Sequence, residues 1–129
     1  RAPLKPIVST FPFQRVAVDV LGPFSASRSG NKYLLVCTDH FTKWAEAIPL
    51  PTQTTEVITK ALVERVFAVF GSPHILQSDQ GANFEAAVFR EMCRLLQIDK
   101  VHTTPYHPQC NGAVERFHRT LLDMLAKQV

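Results

Sequence analysis

Hydrophobic and polar positions divide the chain into two regions of different period. Between Gln14 and Leu21, Val16, Val18 and Val20 alternate with Ala17 and Leu21, and Gly22-Pro23 stops the run. This predicts a strand. Ser25–Asn31 has the small, polar composition of a hairpin loop. Lys32–Thr38 follows as a continuous apolar strand, of the kind buried on both faces. Trp44–Leu50 is a third strand, closed by Pro49 and Pro51. Short links between the three strands imply an antiparallel meander.

From Thr54 to Phe70 the apolar residues Val57, Ile58, Ala61, Leu62, Val66, Val69 and Phe70 recur at helical spacing. Thr52, Thr54 and Thr55 offer oxygens for the N-cap, and Gly71 and Pro73 end the helix. A short strand at His74–Ser78 is followed by a turn at Gly81 and a second helix over Asn83–Leu96. Phe84, Val88, Phe89, Met92, Leu95 and Leu96 are expected on its inner face. Lys100–Thr103 reads as a last short strand, Thr104–Gly112 as a loop dense in breakers, and Ala113 as the start of a final helix with no cap at its end. Strands first, then alternating helix and strand, predict an α/β layer with helices on a mixed sheet. Residues 1–9 read as a linker, and residues 10–129 as one domain, expected to be cut from a longer polypeptide.

The composition, 46% hydrophobic and 19% charged over 129 residues, allows one core without staples. No apolar run reaches membrane-spanning length. A net charge of +3 is compatible with a polyanionic partner, but the basic residues form no single block. Cys37, Cys93 and Cys110 show neither pairing nor C-x-x-C spacing, which favours reduced thiols in an intracellular setting. The five histidines show no zinc spacing with them.

Three carboxylates stand in informative places. Asp19 interrupts an apolar strand, where a carboxylate loses water unless a cation or hydrogen-bond donor compensates. Taken alone, it fits equally well a solvated strand end. Asp79 closes the strand HILQS, at the kind of strand terminus where ligands collect, although Asp-x-Gly is also ordinary turn chemistry. Glu115 falls in the first turn of the last helix, a favourable place for any acid. A mixed sheet can bring the two aspartates side by side, and a helix at its edge can add the glutamate. Three converging carboxylates call for a divalent cation, and all-oxygen ligands suit Mg²⁺ or Mn²⁺ better than zinc. Two such ions can drive phosphoryl transfer without a protein nucleophile.

Between Asp79 and Glu115 lie 35 residues. With that spacing, and with the blocks VDVLGPF, DHFTKWAEAIPL, SDQGANF and TTPYHPQCNGAVERFHRTL in order, the chain resembles the catalytic core of retroelement integrases, closest to gypsy-type LTR retrotransposons and related vertebrate viruses. The resemblance runs from about residue 10 to the C-terminus. It implies an RNase H-like fold, a five-stranded mixed sheet flanked by helices. It also implies two catalytic Mg²⁺ or Mn²⁺ ions on Asp19, Asp79 and Glu115. The reactions implied are trimming of element 3′ ends and strand transfer into target DNA.

By the same carry-over, Tyr106, Pro108 and Gln109 would hold the DNA end, Asn111-Gly112 would let the loop close, and Arg119, one helical turn after Glu115, would meet a phosphate. Arg116 and His118 fit solvated surface positions, and Asp39 fits a structural hydrogen-bonding role. Cys110 and Ala113 depart from the family pattern, where serine and a longer side chain are common. Double-stranded DNA is the implied partner, with a homodimer of the core and a higher oligomer of the full-length protein. The implied location is the host nucleus, after passage through a cytoplasmic virus-like particle. A cut-and-paste transposase of the same fold matches these blocks less well. A domesticated DNA-binding or oligomerisation module without catalysis is the alternative from another class.

Overall fold

β1 (Arg15–Leu21) sits at the centre of a five-stranded sheet, because both of its edges find partners. β2 (Tyr33–Asp39) runs antiparallel to it and β3 (Ala45–Leu50) antiparallel to β2, giving the expected meander. On the other side β4 (Ile75–Ser78) and β5 (Asp99–His102) add in parallel. The order is β3-β2-β1-β4-β5, a mixed sheet. The structure is a computed structural model and describes residues 9–79 and 81–102. The expectations for residues 1–8, for the Thr104–Gly112 loop and for the final helix, with Tyr106, Pro108, Gln109, Asn111, Glu115 and Arg119, lie outside the described residues.

β1 ends where it does for a steric reason. Gly22 has φ +127°, and a Cβ there would stand 2.7 Å from the Lys32 carbonyl oxygen. Any side chain would force the hairpin apart at the point where Phe24 N–H donates to that same carbonyl at 2.7 Å.

Strand alternation sorts the residues onto two faces. Val16, Val18, Leu35, Cys37, Ile48, Leu50 and Leu76 share one face and pack with Ile58, Leu62, Val66, Phe67, Phe84, Phe89, Met92 and Cys93 from the helices. Arg15, Ala17, Asp19, Leu34, Val36, Thr38 and Gln77 share the other. Leu34 and Val36 are buried yet stand outside the helical cluster, so β2 is buried on both faces as its continuous apolar run predicts.

Both helices depart from the expected single rods. α1 (Thr55–Leu62) passes into a π-helical stretch at Val63–Phe67 and ends in a short α turn, α2 (Ala68–Phe70). A π turn accommodates about one extra residue, which rotates the succeeding turn by roughly 100°. Phe67 therefore enters the core, while Val69 is 65% exposed, the reverse of the simple period. Phe70, also turned outward, meets the Trp44 ring at 4.6 Å with the planes tilted by 59°, and the Phe13 ring at 5.9 Å between centroids. Thr54 is the N-cap by backbone, its carbonyl accepting from Ile58 N–H at 3.0 Å, but no threonine side chain caps the helix.

The second expected helix is two. Ala86 is extended (φ −67°, ψ 152°) and separates α3 (Ala82–Glu85) from α4 (Ala87–Leu95). That break resets the phase. Phe89, Met92 and Cys93 face inward with Leu96 half-buried, whereas Val88 and Leu95, expected inside, are exposed and line an open groove with Thr59 and Val63 of the first helix.

Cys37 lies fully inside the sheet core, and burial, with the nearby Glu46 charge, pushes its thiol up to about 12. Burial also raises Cys93. The thiolate is the reactive form, so Cys37 should resist a thiol reagent at pH 8 until the chain is unfolded by denaturant. Rapid labelling of Cys37 in the native chain, located by peptide mass mapping, would contradict this packing.

Candidate metal centre

The parallel pairing of β1 and β4 positions the two aspartates. The register matches Arg15 with Ile75, Val16 with Leu76 and Ala17 with Gln77. Two positions on from the Ala17–Gln77 pair stand Asp19 in one strand and Asp79 just past the end of the other. Asp19 occupies the alternation phase of Ala17, hence the face opposite the helical core, and Asp79 follows directly on β4. Neighbouring strands lie about 4.8 Å apart, so the register carries the backbones of β1 and β4 side by side up to the Ala17–Gln77 pair, two residues short of each aspartate.

Each carboxylate is held by a local backbone donor. Val20 N–H donates to Asp19 Oδ1 at 2.9 Å, and Gly81 N–H donates to Asp79 Oδ1 at 2.9 Å. The Ser78 hydroxyl donates to the Asp79 carbonyl at 2.9 Å and fastens the strand end. Asp19 is half-buried and Asp79 exposed, so one acid is embedded in the sheet while the other faces solvent at its rim. One step earlier on the same face, Arg15 reaches the buried Gln77 side chain at 3.2 Å. Neither Gly81 nor the Arg15–Gln77 contact was anticipated as part of the site. The only trace of the first in the sequence is the Asp-x-Gly spacing, which reads as a turn.

The donor set is carboxylate oxygen alone, which suits a hard cation such as Mg²⁺ or Mn²⁺. Among the described residues no group of three or more histidines, cysteines or acids could hold a metal. A third ligand would have to come from elsewhere, and Glu115 lies outside the described residues.

Asp39 is different in kind. It pairs with Val16, at the far end of β1 from Asp19 and on the helical face. Its Oδ1 accepts from Phe13 N–H (3.1 Å) and Phe41 N–H (3.3 Å), and its Oδ2 accepts from Thr42 N–H (3.2 Å) and the Thr42 hydroxyl (2.7 Å). Burial raises its pKa, but these four bonds to the charged form prevail and hold it below the usual carboxylate value. The structural role expected of Asp39 is what the structure shows.

Beside it, burial depresses His40 to about 4, with Arg15 and Lys43 adding to the fall and Asp39 opposing it. Linkage gives the sign. The unfolded chain takes up a proton near pH 6.5 and the folded chain only near 4, so unfolding binds up to one proton between those values. Stability contributed by neutral His40 is present above about pH 6.5 and is lost as the pH falls toward 4. The Asp39 contribution is lost later, below the carboxylate range. Urea unfolding between pH 7 and 4 should show this slope in the wild type and a flatter one in His40→Gln. An unchanged slope would rule His40 out as its source.

Similarity to known proteins identifies the family. The family model described as "Integrase core domain" matches residues 9–108. The chain is 43% identical over 99 residues to the Pol polyprotein of Radiation murine leukemia virus (strain Kaplan), covering 76% of the chain and 17% of that polyprotein. It is 31% identical over 117 residues to the retrovirus-related Pol polyprotein from transposon 412 of Drosophila melanogaster, covering 91% of the chain and 10% of that protein. The chain thus spans less than a fifth of these curated relatives. In fold it matches the HTLV-2 integrase catalytic core solved in complex with magnesium, in a trimeric form. The TM-score is 0.73 at 20% identity, over 91% of this chain and 72% of that one. The mixed sheet is RNase H-like, as the integrase cores are. A family model that covers most of the chain, joined to curated relatives up to 43% identical, leads to one conclusion: the chain belongs to the integrase core domain family.

Proposed function

We propose that this chain is a catalytic core that joins retroelement DNA to target DNA by metal-dependent polynucleotidyl transfer, in the two steps of 3′-end processing and strand transfer. The observation that supports this reading is the parallel register of β1 and β4, which pairs Ala17 with Gln77, two residues before Asp19 and Asp79 respectively. In this reading Asp19 and Asp79, with Glu115, hold two Mg²⁺ or Mn²⁺ ions. When bound, such ions activate the attacking oxygen and stabilise the leaving one. The protein's own part is to orient. Val20 N–H and Gly81 N–H fix one oxygen of each aspartate, and the sheet sets the separation of the two strands. In-line displacement needs no nucleophilic side chain, in keeping with the buried, weakly acidic Cys37 thiol.

Double-stranded DNA is the substrate in this proposal, with Tyr106, Pro108, Gln109, Asn111 and Arg119 as its contacts beyond the metals. Residues 10–129 act as the core unit of a longer polyprotein after the linker 1–9, in a homodimer or higher oligomer, and the work is done in the host nucleus after transit in a virus-like particle. The mild positive charge of the chain is compatible with that partner.

The test is a strand-transfer assay with the full-length protein and matched element-end DNA, with and without Mg²⁺, beside an Asp19→Asn control. Product that requires both the metal and Asp19 is expected. Lack of metal-dependent product, or equal product from Asp19→Asn, would leave a DNA-binding or assembly role instead.

A further inference from the structure

Glycine at position 81 is not demanded by the backbone. Its torsions, φ −60° and ψ 146°, are open to any L-amino acid. What a side chain would meet is the neighbouring acid. A Cβ on Gly81 would stand 2.8 Å from Asp79 Oδ1 and 3.7 Å from its Cγ, with Phe84 Cδ2 next at 3.9 Å. The first distance is shorter than carbon and oxygen tolerate without a bond. Gly22 makes the contrast: there the obstacle is a backbone carbonyl, and the hairpin itself would have to move. At Gly81 the obstacle is the end of a side chain, so the cheapest relief is rotation of the Asp79 carboxylate. The same glycine contributes the N–H that holds Oδ1 at 2.9 Å. Backbone and missing side chain therefore act on one oxygen of one residue.

We propose that Gly81 is a positioning residue for the Asp79 carboxylate, keeping clear the space that Oδ1 occupies and anchoring it there by its N–H. The inference rests on the reading of Asp79 as a metal ligand. The hydrogen bond takes Oδ1, and it thereby sets the rotation of the carboxylate and the place of Oδ2. Replacing Gly81 by alanine leaves the fold intact, since the residue is exposed and the torsions suit alanine, but turns the carboxylate away. Groups that orient metal ligands in this way typically change metal affinity by about 10- to 100-fold.

The experiment titrates Mn²⁺ into the 129-residue chain, following free Mn²⁺ by electron paramagnetic resonance, for the wild type, Gly81→Ala and Asp79→Asn, with thermal melting of each. Binding by the wild type, its loss in Asp79→Asn, and weakening by about tenfold or more in Gly81→Ala at an unchanged melting temperature are expected. Wild-type binding that Asp79→Asn loses and Gly81→Ala retains would overturn the positioning role and leave Asp79 as a ligand. Equal behaviour of the wild type and Asp79→Asn would overturn both. Should Gly81→Ala melt early, the wild-type amide proton of Gly81 decides, followed by NMR during Mg²⁺ addition. A shift that saturates with metal binding supports the role, and a stationary resonance refutes it.

Discussion

Asp79→Asn should reduce strand transfer by about three orders of magnitude or more while leaving the fold as stable as before. The exchange keeps size and an oxygen acceptor for Gly81 N–H, now at 2.9 Å from Oδ1. What it removes is a negative charge at the place where a divalent cation must be held. Metal stabilisation of charge in the transition state is worth several kcal/mol, and about 4 kcal/mol corresponds to about a thousandfold in rate. Stability should change by less than about 0.5 kcal/mol, because Asp79 is exposed at the strand end and surface changes seldom exceed that. Single-turnover strand transfer and urea unfolding on the same preparation separate the two effects. Retained activity would remove Asp79 from the site, and a large loss of stability would make it structural.

The second large effect belongs to the other face of the sheet. Phe89→Ala should cost about 3–5 kcal/mol of folding stability, the range for deletion of a fully buried aromatic ring. Phe89 is entirely buried and is the largest such side chain among the described residues. It meets Phe84 edge-on at 5.3 Å, so it ties α4 to α3 as well as to the sheet. The change should appear as a lower urea midpoint with the slope preserved. A loss below about 1 kcal/mol would mean that neighbouring side chains collapse into the space, contrary to the packing seen.

Much of this was legible in the residues themselves. The β1 valines, the unbroken apolar run of β2 and the prolines around Leu50 each placed a strand within a residue or so of its observed bounds. The helices were legible as elements but not in phase. Nothing in VERVF announces a π turn, and nothing at Ala86 announces a break, since alanine is a good helix former. Those two local departures decide which of Phe67, Val69, Val88 and Leu95 face inward. For the site, the acids were visible one by one, and family blocks tied them together. The register that pairs Ala17 with Gln77, two residues before each aspartate, is a long-range property that no local window contains. The part of Gly81 was hidden for another reason. A glycine after an acid signals a turn, and only coordinates show that its Cβ would strike that acid.

The mixed pairing of the sheet also sets an order of assembly. In the meander, partners such as Leu21 and Leu34, or Thr38 and Ala45, are close in sequence and close small loops. Val16 and Leu76 must find each other across the meander and the whole first helix, and chain closure grows costlier with the length enclosed. Hairpins are therefore expected to form before the β1–β4 seam, which would leave Asp19 in a nearly finished half-sheet until the Asp79 end of β4 docks. A cation that needs both has little to bind before that moment. Its effect on folding should consequently fall on the unfolding rate, by holding the seam closed, and scarcely on the rate at which the chain first collapses.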